Sequence, residues 1–201
     1  MNLLAHAYLS QHHPKILLGN MIGDDVKGMQ IRLYPPLVRA GIQLHRYIDS
    51  FTDQHPLISE AKKIYRPAAR LYAGPLADIT MDYFLANDPS IYNASGWREF
   101  ANWAYQSLMA GSSWHVGGFR RYFPYLQRED WFVRYRELPF IENSMANLLK
   151  RVGLSDKTQQ VLTAFETHQS DLSGTYRAFF PQLERYATQK ANALMTIPVG
   201  E

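Results

Sequence analysis

The sequence predicts an all-α fold, and three observations carry that prediction. Apolar residues recur at three- and four-residue spacing along most of the chain. Period-two alternation is scarce, so no sheet is expected. The 201 residues are 46% hydrophobic, enough to bury one substantial core, so one helical domain spanning 1–201 is the simplest organisation.

The elements follow in order. Residues 36–53 carry Leu37, Ile42, Leu44, Ile48 and Phe51 as an amphipathic stripe, and His55-Pro56 closes that helix. A helix is expected at 57–65, with the pattern restarting after Pro67, and another at 76–86 with Pro75 near its first turn. Further helices are expected at 96–110, 129–136, 140–152 and 157–167. The stretch 170–194 reads as one or two helices, with Pro181 as a kink or break. Small residues around Trp114-His115 make 111–118 the best loop.

Composition excludes several classes. There is no Cys, which removes disulfide frameworks, thiolate metal sites and Cys nucleophiles. Any metal must sit on His, Asp or Glu, ligands that suit Mn, Mg, Zn or Fe. The opening Met1-Asn2-Leu3-Leu4-Ala5-His6 has no basic region or long apolar run, so it does not read as a signal peptide. No stretch is long enough to span a bilayer, and a cytoplasmic protein without a membrane partner is expected. The net charge of +3 favours an acidic partner. No Lys/Arg-rich arm is present, so nucleic acid is not expected as that partner.

The titratable residues are unevenly placed. Five of seven His and six of ten Asp lie in the first 82 residues. His45 and Asp49 are four apart on one expected helix, as are Asp49 and Asp53, and Asp78 and Asp82 repeat the spacing on another. Such pairs share a helix face, and two facing helices can gather a His and several carboxylates around a metal. Asp78 and Asp82 sit among apolar residues, where a bare carboxylate is costly. A cation, an ion pair with Arg46 or a helix cap would each satisfy them. In Gly23-Asp24-Asp25, the flanking glycine allows close backbone approach. Asp25 reads as a cap, and Lys27 as either solvated or a contact for a phosphate oxygen. His6 lies on an apolar segment and, taken alone, reads as a core residue. His12, His13, His55, His115 and His168 read as structural.

These residues resemble the acyl carrier protein phosphodiesterase family. The resemblance runs from Met1-Asn2-Leu3-Leu4-Ala5-His6 through Gly19-Asn20 to Asp24 and Tyr34-Pro35-Pro36. It continues in His45-Arg46-Tyr47-Ile48-Asp49, Thr52-Asp53, Asp78 with Asp82, and Trp131-Phe132-Val133-Arg134-Tyr135-Arg136 with Phe140-Ile141. It implies an HD-like helical hydrolase that removes 4′-phosphopantetheine from holo acyl carrier protein, the acidic protein partner. It also implies a divalent cation, manganese first, with magnesium or iron(II) as alternatives. Carried over residue by residue, the metal ligands are Asp24, His45, Asp49, Asp78 and His6, and the catalytic set is Asp24, His45, Asp49, Asp78 and Asp82. Arg46 and Lys27 would clamp phosphate oxygens. The site then lies in 1–90, with 91–201 completing the bundle and offering a docking region. The scattered Arg39, Arg66, Arg70, Arg120 and Arg121 are candidates for a surface that meets the carrier. Two alternatives are a related phosphohydrolase acting on a nucleotide or another small diester, and a non-catalytic helical module binding an acidic partner.

Overall fold

The computed structural model describes residues 1–196 and contains eleven α-helices and no strand among them. Helices α1 (Leu3–Tyr8), α2 (Pro14–Met21), α3 (Pro36–Gln54), α4 (Pro56–Ala69) and α5 (Ala73–Ala86) form the first half. Helices α6 (Ala94–Ala110), α7 (Gly117–Arg128), α8 (Trp131–Arg134), α9 (Leu138–Arg151), α10 (Thr158–Thr167) and α11 (Gln169–Thr196) complete one bundle around a continuous apolar core. No helix among the described residues is long and apolar enough to cross a membrane.

The feature that positions the site is the crossing of α2 over α3. A Cβ on Gly19 would stand 2.8 Å from Gly41 Cα and would collide with the Val38 carbonyl. The two backbones can touch only because neither residue carries a side chain. The next residue, Asn20, is thereby pressed onto α3 at the level of His45.

Internal prolines are carried within helices, whereas the sequence pattern ends the helix before Pro67 at residue 65. Helix α4 runs through Pro67 and α11 through Pro181 without a break. An interior proline costs about 3 kcal/mol. In α11, Phe179, Phe180 and Leu183 are buried on both sides of it, and each contributes roughly 1.5–3 kcal/mol, so packing outweighs the lost hydrogen bond. Helix α7 overlaps the end of the expected loop. Its stripe of Phe119, Phe123 and Leu126 is buried, and its first turn is capped from far away: Asp25 accepts from the Gly118 and Phe119 amides, both at 2.8 Å.

Candidate metal centre

Three side chains from two helices converge. His6 comes from α1, and His45 and Asp49 come from successive turns of α3. His6 Nε2 lies 3.0 Å from Asp49 Oδ1, and His45 Nε2 lies 3.1 Å from Asp49 Oδ2. The two imidazoles stack at 4.2 Å. One potential ligand atom from each of the three lies within 4.8 Å of the others. Asp24, in the 3₁₀ turn Gly23–Asp25, reaches in from the largely exposed rim with Oδ1 3.2 Å from His45 Nε2.

Asn20 sets the direction of both rings. Its side-chain oxygen lies 2.8 Å from His6 Nδ1, and its backbone carbonyl lies 2.8 Å from His45 Nδ1. The Asn20 amide NH₂ donates to the His6 carbonyl and to Ser10 Oγ, which leaves its side-chain oxygen as the acceptor for His6. A carbonyl can only accept, so each Nδ1 carries the hydrogen and each Nε2 faces the carboxylates. This is the tautomer in which imidazoles bind metals. Gly23 belongs to the same construction, because a Cβ there would collide with the His45 ring.

The local charges reinforce one another. Burial pulls the His45 pKa down, but hydrogen bonding and charge from Asp24 and Asp49 outweigh it and hold the ring at about 9. Burial and the neighbouring His45 lower His6. Burial would raise Asp49, but its two histidine partners hold it well below the ordinary carboxylate range. Asp24 is lowered mainly by its hydrogen bond to His45.

The other expected residues are placed differently. Asp78 lines the same cavity but pairs with the Met1 amine at 3.1 Å. Asp82 is fully buried outside it, accepting from the Leu4 amide at 2.7 Å and the Asn2 amide at 3.3 Å. Asp82 therefore caps α1, whose first N–H groups have no partner within the helix, and it is not brought to the cluster. Burial raises its pKa to about 7. Arg46 is turned away, its guanidinium donating to the Val26 carbonyl. Lys27 is exposed and does not line the cavity. Neither cation is placed as a phosphate clamp. His13 and His55 accept from the first turns of α2 and α4, and His115 bonds the Leu108 carbonyl, all structural roles.

The cavity above the cluster has a volume of about 180 Å³. Asp24, Asp49, Asp53 and Asp78 line it, and among the described residues no Lys or Arg does. Asp53 is neutralised by Lys62 at 2.8 Å and Asp78 by the Met1 amine, so the ion-pair alternative holds for these two. Asp49 has only imidazoles. His45 Nε2 is buried between two carboxylates, 3.2 Å from Asp24 Oδ1 and 3.1 Å from Asp49 Oδ2. An imidazole and carboxylate set of this kind fits a divalent metal. Asn20 and Tyr122 also line the cavity. Neither was singled out from the sequence as a site residue: Asn20 is not titratable, and Tyr122 lies on α7.

Comparison with known proteins agrees over nearly the whole chain. The family described as "Acyl carrier protein phosphodiesterase" matches residues 1–183. Curated proteins of that name from Escherichia coli O157:H7 and from Escherichia coli strain K12/DH10B are 31% identical over 192 residues, covering 95% of this chain and all of theirs. No solved structure matches.

Proposed function

This chain belongs to the acyl carrier protein phosphodiesterase family, and from that premise we propose that it hydrolyses the phosphodiester joining 4′-phosphopantetheine to a serine of holo acyl carrier protein. The products are the apo carrier and free phosphopantetheine. The observation that carries the proposal is the pair of imidazoles turned by Asn20 onto Asp49 in an acidic cavity that no described Lys or Arg lines. A phosphodiester anion brought against Asp24 and Asp49 would be held better with a metal cation between them.

His6, His45 and Asp49 would hold that cation, with Asp24 beside them at the rim. Oxygen and imidazole ligands suit manganese, and also magnesium or iron(II). When bound, the cation neutralises phosphoryl oxygens and makes water a nucleophile at neutral pH. The chain supplies the positioning. Asn20 keeps both Nδ1–H groups engaged, so the Nε2 atoms do not rotate away. Asp49 bridges the two rings. Asp24, ionised and exposed at the mouth, would accept a hydrogen bond from a water entering the site and orient it. Asp78 and Asp82 anchor the Met1–Leu4 segment, which carries His6 into place. The single-domain organisation, the HD-like relationship and a cytoplasmic setting belong to the same proposal, which rests on the helical fold and its His/Asp chemistry.

The test is incubation of purified protein and manganese with holo carrier, with apo carrier read by mass spectrometry. His45→Ala and Asp49→Ala are expected to abolish turnover while the helical circular dichroism persists. Intact holo carrier with every divalent metal tried, or full activity in both variants, would reject the assignment.

A further inference from the structure

A second cleft adjoins the metal cavity. Its volume is about 600 Å³, and it shares Asn2, Leu3 and Tyr122 with the cavity as common walls. This size is typical of small-molecule sites. Its sides differ in chemistry. One is aromatic: Tyr122 and Trp131 lie nearly parallel at 6.3 Å, Trp131 is followed by Phe140 at 6.2 Å, and Phe140 meets Tyr135 at 5.5 Å. Two charged residues that also line the cleft hold these rings: Trp131 donates to Glu129, and the Arg134 guanidinium covers Phe140 at 4.8 Å. Continuing from Phe140 along α9, Asn143, Ser144, Asn147 and Arg151 recur at helical spacing and line the polar side of the cleft.

We infer that this cleft binds the pantetheine arm of the substrate, so that the enzyme reads the arm as well as the phosphodiester. The inference rests on the proposed function. The arm contains two amides, a hydroxyl and a geminal dimethyl group. Asn143 and Asn147 each carry a donor and an acceptor able to pair with an amide. Exposed amide side chains beside an aromatic wall suit a ligand that alternates amide and methylene units, and the rings cover its apolar segments. The lengths also agree. About thirteen bonds separate the phosphorus from the sulfur, a reach of ~15 Å at ordinary bond geometry. The stripe from Phe140 to Arg151 spans ~16 Å of helix. With the phosphate at the metal cavity, the arm would pass Asn2, Leu3 and Tyr122, which line both spaces, to enter the cleft.

The test combines turnover with binding. Asn147→Trp fills the cleft from an exposed helix position, and the double variant N143A/N147A removes the amides without adding bulk. For both, kcat/KM on holo carrier is expected to fall at least tenfold further than kcat/KM on bis(p-nitrophenyl) phosphate, which has no arm. Free pantetheine, lacking phosphate, is expected to compete with holo carrier in the wild type, and to perturb Trp131 fluorescence in a W97F/W103F/W114F background checked by circular dichroism. Equal losses on the two substrates in both variants, with no competition by pantetheine, would overturn the inference while leaving the proposed reaction standing. If the wild type cleaves the aryl diester but never holo carrier, the proposed reaction fails, and pantetheine binding read at Trp131 still decides what the cleft takes.

Discussion

Raising the pH should tighten metal binding by an amount set by His45. Its Nδ1 hydrogen is committed to the Asn20 carbonyl, so when the ring is charged the second proton sits on Nε2. That is the atom a metal needs. With the ring held at about 9, a cation binding at pH 7 must displace that proton across two pH units. Affinity at pH 7 is therefore about 100-fold below its limit, or about 2.7 kcal/mol. It rises about tenfold per pH unit and levels off above pH 9. Asp49 and Asp24 are held low, and His6 is lowered, so these carboxylates and His6 Nε2 have no proton to displace at neutral pH. The assay is calorimetry of manganese binding at pH 7, 8 and 9 in buffers of different ionisation enthalpy. Close to one proton should leave per metal at pH 7, falling toward half at pH 9. Constant affinity over this range with no proton release would refute the reasoning. The same shift governs the metal-free fold. A histidine raised from 6.5 stabilises fully below its unfolded pKa, and that contribution disappears as pH rises through 9. The metal-free melting temperature should fall over this window, reflecting up to about 3 kcal/mol, while the metal-loaded protein should not follow it.

Three further outcomes are expected. Asn20→Ala keeps the backbone carbonyl that holds His45 but frees His6, and should weaken metal binding or turnover by roughly 10- to 100-fold, read by metal titration alongside kcat. Asp82→Ala should cost about 1–3 kcal/mol in urea unfolding, because the buried Leu4 amide loses its acceptor. The folded fraction should still bind metal in wild-type stoichiometry, more weakly because the segment carrying His6 is loosened, and complete loss of metal from folded protein would return Asp82 to the site. Residues 26–48 contain no acidic side chain, and there Lys27 and Arg32 flank the exposed Met29 and Leu33. The double variant K27E/R32E should raise KM for the acidic carrier with little change in kcat, and the effect should shrink at high salt. A salt-independent effect would argue against a docking role.

Much of the fold could be read from helical periodicity, because long amphipathic stripes such as that of α3 declare themselves locally. The misreadings share a cause. Pro67 and Pro181 are local breakers whose cost is met by packing contributed from elsewhere in the bundle. Helix α7 begins with two glycines and contains Pro124, so its sequence resembles a loop. Its cap is Asp25, more than ninety residues earlier. A capping residue that distant leaves no mark beside the helix it starts.

The same division explains the site. His45 with Asp49, and Asp78 with Asp82, have the same spacing and similarly apolar surroundings, so sequence gives them equal standing. Spacing fixes which helix face a carboxylate occupies but not what packs against that face. Two imidazoles stand over Asp49, whereas the unpaired first turn of α1 stands over Asp82. His6 reads as core when taken alone, and it is indeed buried. What makes it a ligand candidate is Asn20, which turns its Nε2 outward. Asn20 in turn reaches both histidines only because Gly19 lets α2 lie against α3 at Gly41. The local trace of the metal centre is therefore a glycine before an amide in a helix, a signal that a search for titratable residues passes over.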